Sequence, residues 1–430
     1  MRILMISDVY FPRINGVSTS IWTFAKEFVE KGHQVTLIAP DYGQETVQAF
    51  EVIRIPSRFL PVDPEDRILR ARSIRELIGT LRQRGFDILH IHTPFIAHYE
   101  GLRLARALGI PVVESYHTFF EEYLDKYIRF LPRALLRAAA RRFSTSQCNA
   151  ADGIVVPSQA MCQVLRNYGV TNRMAVIPTG IESRPFEAGD GARFRRRQGI
   201  PPDRPVMVHV GRLAHEKNLC FLIDVLAEVK KTIPNILLLM AGEGPARASL
   251  ERRIQREGLA GNALLAGYLK RDGDLQDCYC AGDVFVFSSR TETQGLVLLE
   301  AMALGVPVVS TAVMGTKEVL DGGHGAALIA EEEVVGFAAK AIQLLCDPGL
   351  RARMGQAAVR YAGTWSAPAL ADKMLDEYRQ VMDETALSGP DAGSTNLPGA
   401  DLDADTAPAG GKTGTFFIKS PWFAQRAVRR

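Results

Sequence analysis

The chain has 430 residues, of which 47% are hydrophobic, and this size and composition suit two globular domains with separate cores. Its net charge is only +3, so no overall field favours nucleic acid, and anion binding must depend on local basic clusters. The six cysteines are scattered. Cys278 and Cys280, the one close pair, lack the spacing of zinc ligands, so we expect reduced, buried thiols.

The N-terminal apolar stretch is too short for a signal peptide, because Asp8 interrupts it. No other uninterrupted apolar run is long enough to cross a bilayer. The sequence therefore predicts a cytoplasmic protein that is neither exported nor inserted as a transmembrane helix.

In the first half of the chain, short apolar runs alternate with helix-length segments, which is typical of βαβ units and parallel sheets. We predict strands at residues 3–7, 34–39, 88–92, 111–115 and 153–157. A segment rich in Gly, Arg and charge then interrupts this rhythm at residues 187–198. We place the domain boundary there, with a first domain over residues 1–184 and a second over 185–366.

A second series of apolar runs follows the boundary. It predicts strands at residues 205–210, 236–240, 263–266, 283–288 and 306–310, with a helix over 218–230. The fold class is therefore α/β, with two doubly wound, Rossmann-like sheets. Ligands of such sheets bind beyond the carboxyl ends of the strands, so two facing sheets would form a cleft.

The C-terminal part of the chain changes character. Residues 367–383 predict a helix with Ser366 as its N-cap. Residues 386–411 have hardly any apolar side chains, and we expect the tail, 386–430, to be disordered. Its end mixes aromatic residues with arginines, which suits a membrane interface; partner docking or disorder is an equally open interpretation.

Residues 291–300 place Glu292 just before a predicted helix and Glu300 inside it. A helix that opens at Gly295 presents unpaired N–H groups and a positive dipole end to an anion, and the glycine lets a ligand approach the main chain. The pyrophosphate of a sugar nucleotide would fit there. Glu292 would accept hydrogen bonds from a hexose and Glu300 from a ribose, whose diol would partner this otherwise buried charge.

This segment resembles the Glu-x7-Glu motif of retaining glycosyltransferases of family 4, which have the two-domain GT-B fold. Residues 211–213 with 216–218 resemble the diphosphate-binding loop of that family, residues 241–245 the turn after the next strand, and residues 15–17 its N-terminal glycine loop. The resemblance runs from residue 1 to about 382 and leaves only the tail outside.

The resemblance implies two facing Rossmann-like domains, a final helix that returns to the first domain, and cations in place of a metal cofactor. It implies catalytic roles for His117, Arg212, Lys217 and Glu292. It implies donor binding by the following residues: Gly16, Gly211, Arg212, Lys217, Glu243, Glu292, Gln294, Gly295, Leu296 and Glu300. Without the family motifs, His117 would be interpreted as structural and the two cations as solvated loop residues.

Two further patterns raise the question of a metal. His90 and His92 share one face of a predicted strand, but no third ligand is apparent, and we interpret them as lining the cleft. Residues 272–274 spell the Asp-x-Asp of metal-dependent transferases, but they precede a predicted helix, where a turn and helix cap is favoured. We expect no metal.

A cationic stripe follows Pro132, a good first helical residue. Its arginines are Arg133, Arg137, Arg141 and Arg142. Such a helix could lie on anionic lipid, and a solvated or salt-bridged face is an equally open interpretation. Residues 116–123 resemble the same run in bacterial enzymes that glycosylate diacylglycerol, which favours a lipid acceptor.

Together these features predict a peripheral enzyme on the inner membrane face. It would transfer an α-linked hexose, glucose from UDP-glucose, to a membrane lipid such as 1,2-diacylglycerol, with retention and without a metal. We expect no nucleic-acid partner. The alternatives are a GDP-mannose-dependent α-mannosyltransferase acting on a lipid or polysaccharide, and a non-catalytic GT-B protein that binds a nucleotide sugar or recruits partners to a membrane.

Overall fold

The computed structural model describes residues 1–13, 15–43, 49–60, 63–117, 133–182, 189–270, 273–321 and 325–388. Two parallel sheets, each covered by helices on both faces, and a small hairpin make up its strands. This is the pair of doubly wound α/β domains that the alternating pattern predicts, and the fold class is confirmed.

The first domain contains a seven-stranded sheet in the order β3-β2-β1-β6-β7-β8-β9. Its strands are β1 (Arg2–Ile6), β2 (Gln34–Pro40), β3 (Glu51–Ile55), β6 (Ile88–Ile91), β7 (Val112–Ser115), β8 (Gly153–Val156) and β9 (Met174–Val176), and the hairpin is β4 (Ser57–Leu60) with β5 (Asp63–Leu69). Its helices are α1 (Gly16–Glu30), α2 (Ala71–Glu76), α3 (Ile78–Arg84), α4 (Ile96–Leu108), α5 (Arg133–Cys148) and α6 (Gln159–Tyr168). The strand order reverses between β1 and β6, where such sheets bind ligands.

The second domain contains a six-stranded sheet in the order β12-β11-β10-β13-β14-β15. Its strands are β10 (Val206–Val210), β11 (Leu237–Ala241), β12 (Ala263–Gly267), β13 (Val284–Phe287), β14 (Val308–Ser310) and β15 (Ala327–Ile329). Its helices are α7 (Gly191–Gln198), α8 (Leu219–Thr232), α9 (Arg247–Arg256), α10 (Asp274–Cys280), α11 (Leu296–Ala303), α12 (Gly315–Asp321), α13 (Val334–Cys346) and α14 (Pro348–Ala362).

Alternate side chains of a strand point to opposite faces of its sheet, and in both domains helices bury both faces. On β1, Leu4 and Ile6 belong to one apolar cluster, and Ile3 and Met5 belong to another. On β10, Val208 and Met207 divide in the same way. The backbone of both domains is therefore held in place up to the strand ends, where the predicted site residues lie.

The last helix, α15 (Ala367–Ser388), packs on the first domain, where Met374 and Tyr378 are fully buried beside β1. The two chain crossings between the domains lie side by side. The N–H of Ile181 donates to the carbonyl of Trp365 at 2.8 Å, and the N–H of Ala367 donates to the carbonyl of Ile181 at 3.0 Å.

Several predictions differ from the structure. The edge strands β3, β9 and β15 and the hairpin β4–β5 were not predicted. The edge strands are only partly buried, and β9 and β15 are three residues long, too short to form a recognisable apolar run. Residues 386–388 continue α15 and are not disordered; the rest of the tail, 389–430, lies outside the described residues. All six cysteines are free, but Cys220 and Cys346 are exposed, so the prediction of burial is wrong for these two.

Among the described residues, no helix has both the length and the apolar character needed to span a bilayer.

Candidate active site

The loops after β10 and β11 pack against each other backbone to backbone. Gly242 has φ 137°, and a Cβ added to it would lie only 2.0 Å from the carbonyl oxygen of Gly211. The N–H of Leu213 donates to the carbonyl of Glu243 at 2.9 Å. Glycine is therefore required at this contact, which positions the half-buried Arg212 at the end of β10.

Lys217 and Glu292 form an ion pair at the same edge of the sheet. Lys217 ends a short 3-10 turn, and Asn218 then adopts a left-handed conformation, φ 57°, as α8 begins. The ammonium of Lys217 donates to Glu292 Oε2 at 2.6 Å, and about a fifth of each side chain is exposed, 22% and 21%. The two predicted ligand-binding charges thus compensate each other while staying within reach of a ligand.

Helix α11 begins at Leu296, directly after Gly295, whose φ is 94°. Among the described residues, no side chain caps this helix, and anion binding by its first amides stays a prediction. Gln294 makes a contact that the sequence does not predict. It is buried, its carbonyl oxygen accepts from the N–H of Thr179 at 2.8 Å, and its amide donates to the carbonyl of Thr179 at 2.7 Å. This side chain joins the two domains, and its contact with a donor stays a prediction.

Glu300 is 1% exposed, and its carboxylate accepts a hydrogen bond from the hydroxyl of Tyr279 at 2.7 Å. The neighbouring helix α10 thus supplies a partner for this buried charge that the sequence does not predict. Contact with a ribose remains a prediction. Glu243, at the turn after β11, pairs with Arg247 at 2.6 Å.

The first domain contributes His117, which follows β7. The hydroxyl of Thr293 donates to the carbonyl of His117 at 3.3 Å, so the predicted sugar-binding histidine lies next to the Glu292–Gly295 loop. Burial lowers the pKa of His117 to about 4, which keeps its ring neutral at pH 7. Within the described residues, its Nε2 atom has no hydrogen-bond partner.

Two further histidines stack behind His117. The ring centroids of His90 and His92 are 4.0 Å apart, and those of His92 and His117 are 5.8 Å apart. His90 is held by the hydroxyl of Tyr378 at 2.5 Å and by Ser115 at 2.9 Å, and burial lowers its pKa to about 3. Because His90 and His92 are 0% and 1% exposed, they pack behind His117, and their interpretation as cleft lining stays a prediction.

Asp8 and Gly16 complete the first-domain edge. Asp8, at the end of β1, accepts from the hydroxyl of Thr93 at 2.8 Å, and burial raises its pKa to about 6. No sequence motif predicts Asp8 as a site residue, although a polar residue that ends an apolar strand is a usable signal. Gly16 is the first residue of α1, and a Cβ there would meet no atom of the described residues within 4 Å.

The arginine stripe lies on α5. Arg137, Arg141 and Arg142 are exposed, whereas Leu136 and Ala140 are buried in the domain. The helix begins at Arg133, whose side chain lies outside the described residues, as does Pro132.

The Asp-x-Asp pattern falls at a helix start, as expected. Asp272 lies outside the described residues, Gly273 has φ 117° at the N-cap of α10, and Asp274 pairs with Arg197 at 2.8 Å. In the described ranges, no group of three or more His, Cys, Asp or Glu side chains is arranged to hold a metal ion.

Comparison with known proteins agrees with this geometry. Residues 14–184 match the family Glycosyltransferase Family 4, and residues 190–361 match Glycosyl transferases group 1. The chain is 30% identical to the alpha-monoglucosyldiacylglycerol synthase of Streptococcus pneumoniae, over 72% of this chain and 71% of that protein. It is 28% identical to a GDP-mannose-dependent alpha-mannosyltransferase of Mycobacterium tuberculosis, over 89% and 97%.

Solved structures show the same two-domain architecture. Sucrose-phosphate synthase from Thermosynechococcus elongatus superposes with a TM-score of 0.72 at 21% identity, over 89% of this chain and all of that one. Anabaena Alr3699/HepE in complex with UDP-glucose gives 0.70 at 18% identity, over 88% and 100%. The chain therefore belongs to glycosyltransferase family 4 and is a hexosyltransferase with the GT-B fold.

Proposed function

We propose that the protein transfers glucose from UDP-glucose, with retention of configuration, to a hydroxyl of a membrane lipid such as 1,2-diacylglycerol, and that it needs no metal ion. The observation that carries this proposal is the similarity to two alpha-monoglucosyldiacylglycerol synthases, at 30% and 28% identity. The geometry of the cleft supports the proposal through the groups that would meet each part of the donor.

The diphosphate would lie at the start of α11, between the amides that follow Gly295 and the cations Arg212 and Lys217. Lys217 already holds Glu292 at 2.6 Å, so the arriving diphosphate would share this ammonium with the carboxylate. Glu292 would then accept from a hexose hydroxyl, and Glu300 from the ribose. Fixed positive charge at the departing phosphate lowers the barrier because negative charge develops there.

In the proposed reaction, the bond from the anomeric carbon to the phosphate oxygen breaks, and the acceptor oxygen bonds to the same face of the sugar. The departing phosphate takes the acceptor's proton, so no side chain has to act as the base. The neutral ring of His117 would contact a sugar hydroxyl, using the nitrogen that has no partner among the described residues.

The acceptor side of the proposal rests on α5. Its exposed arginines would meet anionic headgroups, and Leu135, which is 57% exposed among them, would contact the apolar boundary.

A second candidate is transfer of mannose from GDP-mannose. The extent of the similarity favours it, because the mannosyltransferase of Mycobacterium tuberculosis matches 89% of this chain, against 72% for each glucosyltransferase.

The test is incubation of the purified protein with labelled UDP-glucose, UDP-galactose or GDP-mannose and diacylglycerol vesicles, with and without a chelator. We expect labelled glucolipid from UDP-glucose, formed equally well in both conditions. Labelled lipid from GDP-mannose alone would replace the first candidate by the second. Loss of activity with the chelator would contradict the metal-free reaction.

A further inference from the structure

A carboxylate outside the family motifs joins the two domains beside this site. Glu318 lies on α12 of the second domain, and its oxygens accept from the backbone N–H groups of Gln159 at 2.8 Å and Ala160 at 2.7 Å. These amides open α6 of the first domain, where Ser158 caps only the N–H of Met161, at 3.3 Å. The second domain thus supplies the anion that this helix start favours.

Helix α12 is also tied to the loop that carries Glu292. The N–H of Gly315 donates to the carbonyl of Glu292 at 3.0 Å. A Cβ on Gly315 would lie 1.9 Å from the carbonyl oxygen of Thr293, so the two backbones are in direct contact. A shift of α12 would therefore displace Glu292 as well.

Other contacts across the domains lie next to this one. Met314 precedes α12 and packs against the apolar core of the first domain. Its φ is 56°, which side chains of its kind rarely adopt, so the surrounding contacts must hold it in this conformation. Gln294, on the loop itself, binds Thr179 through both ends of its amide.

We infer that Glu318 is a positioning residue for the transfer reaction. Its contact with Gln159 and Ala160, here called the α6–α12 latch, holds the Glu292–Gly295 loop opposite His117. The inference rests on the proposed placement of the donor between His117 and Lys217. Without the latch, the arrangement in which the two domains contact each other through α6 and α12 is less populated. A donor that binds both domains must then supply the free energy that brings them together.

The test compares Glu318→Ala with a matched control, Glu333→Ala. Glu333 accepts from two amides in the same way, Val335 at 2.8 Å and Gly336 at 2.6 Å, but at the start of α13 in its own domain. Small-angle X-ray scattering without ligand measures the radius of gyration, and steady-state kinetics use whichever donor the wild type accepts.

We expect Glu318→Ala to have a larger radius of gyration than the wild type and the control. Its KM for the donor should rise about tenfold with kcat within about threefold, because donor binding restores closure. Glu318→Gln, which keeps the side-chain volume, should change both quantities in the same direction and replaces the alanine variant if that variant does not fold.

A Glu318→Ala variant that matches Glu333→Ala overturns the inference. A change in the radius without a change in KM, or the reverse, overturns it too, because the latch must act on both. The scattering experiment contains no donor, so a wrong assignment of glucose or lipid leaves its result unaffected and the two proposals fail separately.

Discussion

The two domains form the two walls of the cleft, and the polar side chains of each wall are paired in different ways. On the second domain, Lys217 pairs with Glu292 at 2.6 Å, and Glu300 accepts from Tyr279 at 2.7 Å. On the first domain, His92 and His117 are neutral rings, and neither nitrogen of His92 has a hydrogen-bond partner in the described part of the chain. Paired charges would be preorganised for the proposed diphosphate, whereas the neutral ring of His117 would offer a nitrogen atom to an uncharged hydroxyl.

The largest expected effect comes from removing the cation of the charged wall. Lys217→Ala should lower kcat/KM by about 10²- to 10³-fold, because the departing diphosphate loses a charged donor and Glu292 loses its partner. Steady-state kinetics measure it. Lys231→Ala is the control, since Lys231 holds Glu228 at the same 2.6 Å but is 71% exposed and lies on α8, and it should stay within about twofold. A loss below about fivefold for Lys217→Ala would remove the distinction between the walls.

The next effect concerns helix α5 on the surface of the first domain. Alanine replaces three exposed arginines of α5: Arg137, Arg141 and Arg142. At about 1 kcal/mol for each arginine near an anionic surface, binding to phosphatidylserine vesicles at low salt should fall about 10²-fold. Cosedimentation measures it. The control removes the same charge from exposed arginines of the second domain: Arg196, Arg252 and Arg256. Equal losses in both triple variants would show a charge effect without a defined membrane face.

A third prediction concerns His209, the buried histidine of the charged wall. Its Nδ1 contacts the carbonyl of Val286 at 3.1 Å, and burial lowers its pKa from 6.5 to about 4. Below pH 6.5 the unfolded chain binds a proton that the native ring does not take up until about pH 4. The contribution of His209 to the free energy of unfolding is therefore complete above pH 6.5. It falls as the pH falls, by about 2 kcal/mol at pH 5.

Urea unfolding at pH 5 and pH 7 checks this on the wild type and on His209→Phe, whose ring matches the stacked Phe287. The variant should lose about 2 kcal/mol less between the two pH values. Asp8 acts with the opposite sign, because its pKa is raised to about 6 and its contribution falls as the pH rises through that value. It contributes equally to both proteins, so an unchanged pH dependence in the variant would contradict the assignment to His209.

The smallest effect distinguishes Tyr279, the observed partner of Glu300, from the ribose, its proposed partner. Glu300→Gln should raise KM for the donor about tenfold, because a neutral amide accepts more weakly from the ribose. Tyr279→Phe keeps the carboxylate but removes its internal donor, so it should lower the free energy of unfolding by about 1–3 kcal/mol with little change in KM. Kinetics and urea unfolding on both variants check this. If Glu300→Gln changes only stability, Glu300 is a packing residue and does not contact the donor.

Local pattern was sufficient for the elements that carry the site. The apolar runs of β1 and β10 identify buried strands, and Gly242 and Gly295 occur where the backbone needs positive φ or a close approach. The pattern failed for the partly buried edge strand β3, and it did not predict that both ends of the Gln294 amide bind Thr179. A long polar side chain on a binding loop has the same sequence signature whether it contacts a ligand or joins two domains.

The buried strands, and the kinds of chemical group at their ends, were determined by the sequence alone, because they depend on residues close together in the chain. The tertiary structure decided which groups meet. Lys217 lies 75 residues from Glu292, Thr179 lies 115 from Gln294, and Glu318 lies 159 from Gln159. Such contacts depend on how two sheets and their helices pack in space, and no local pattern of residue types specifies that arrangement.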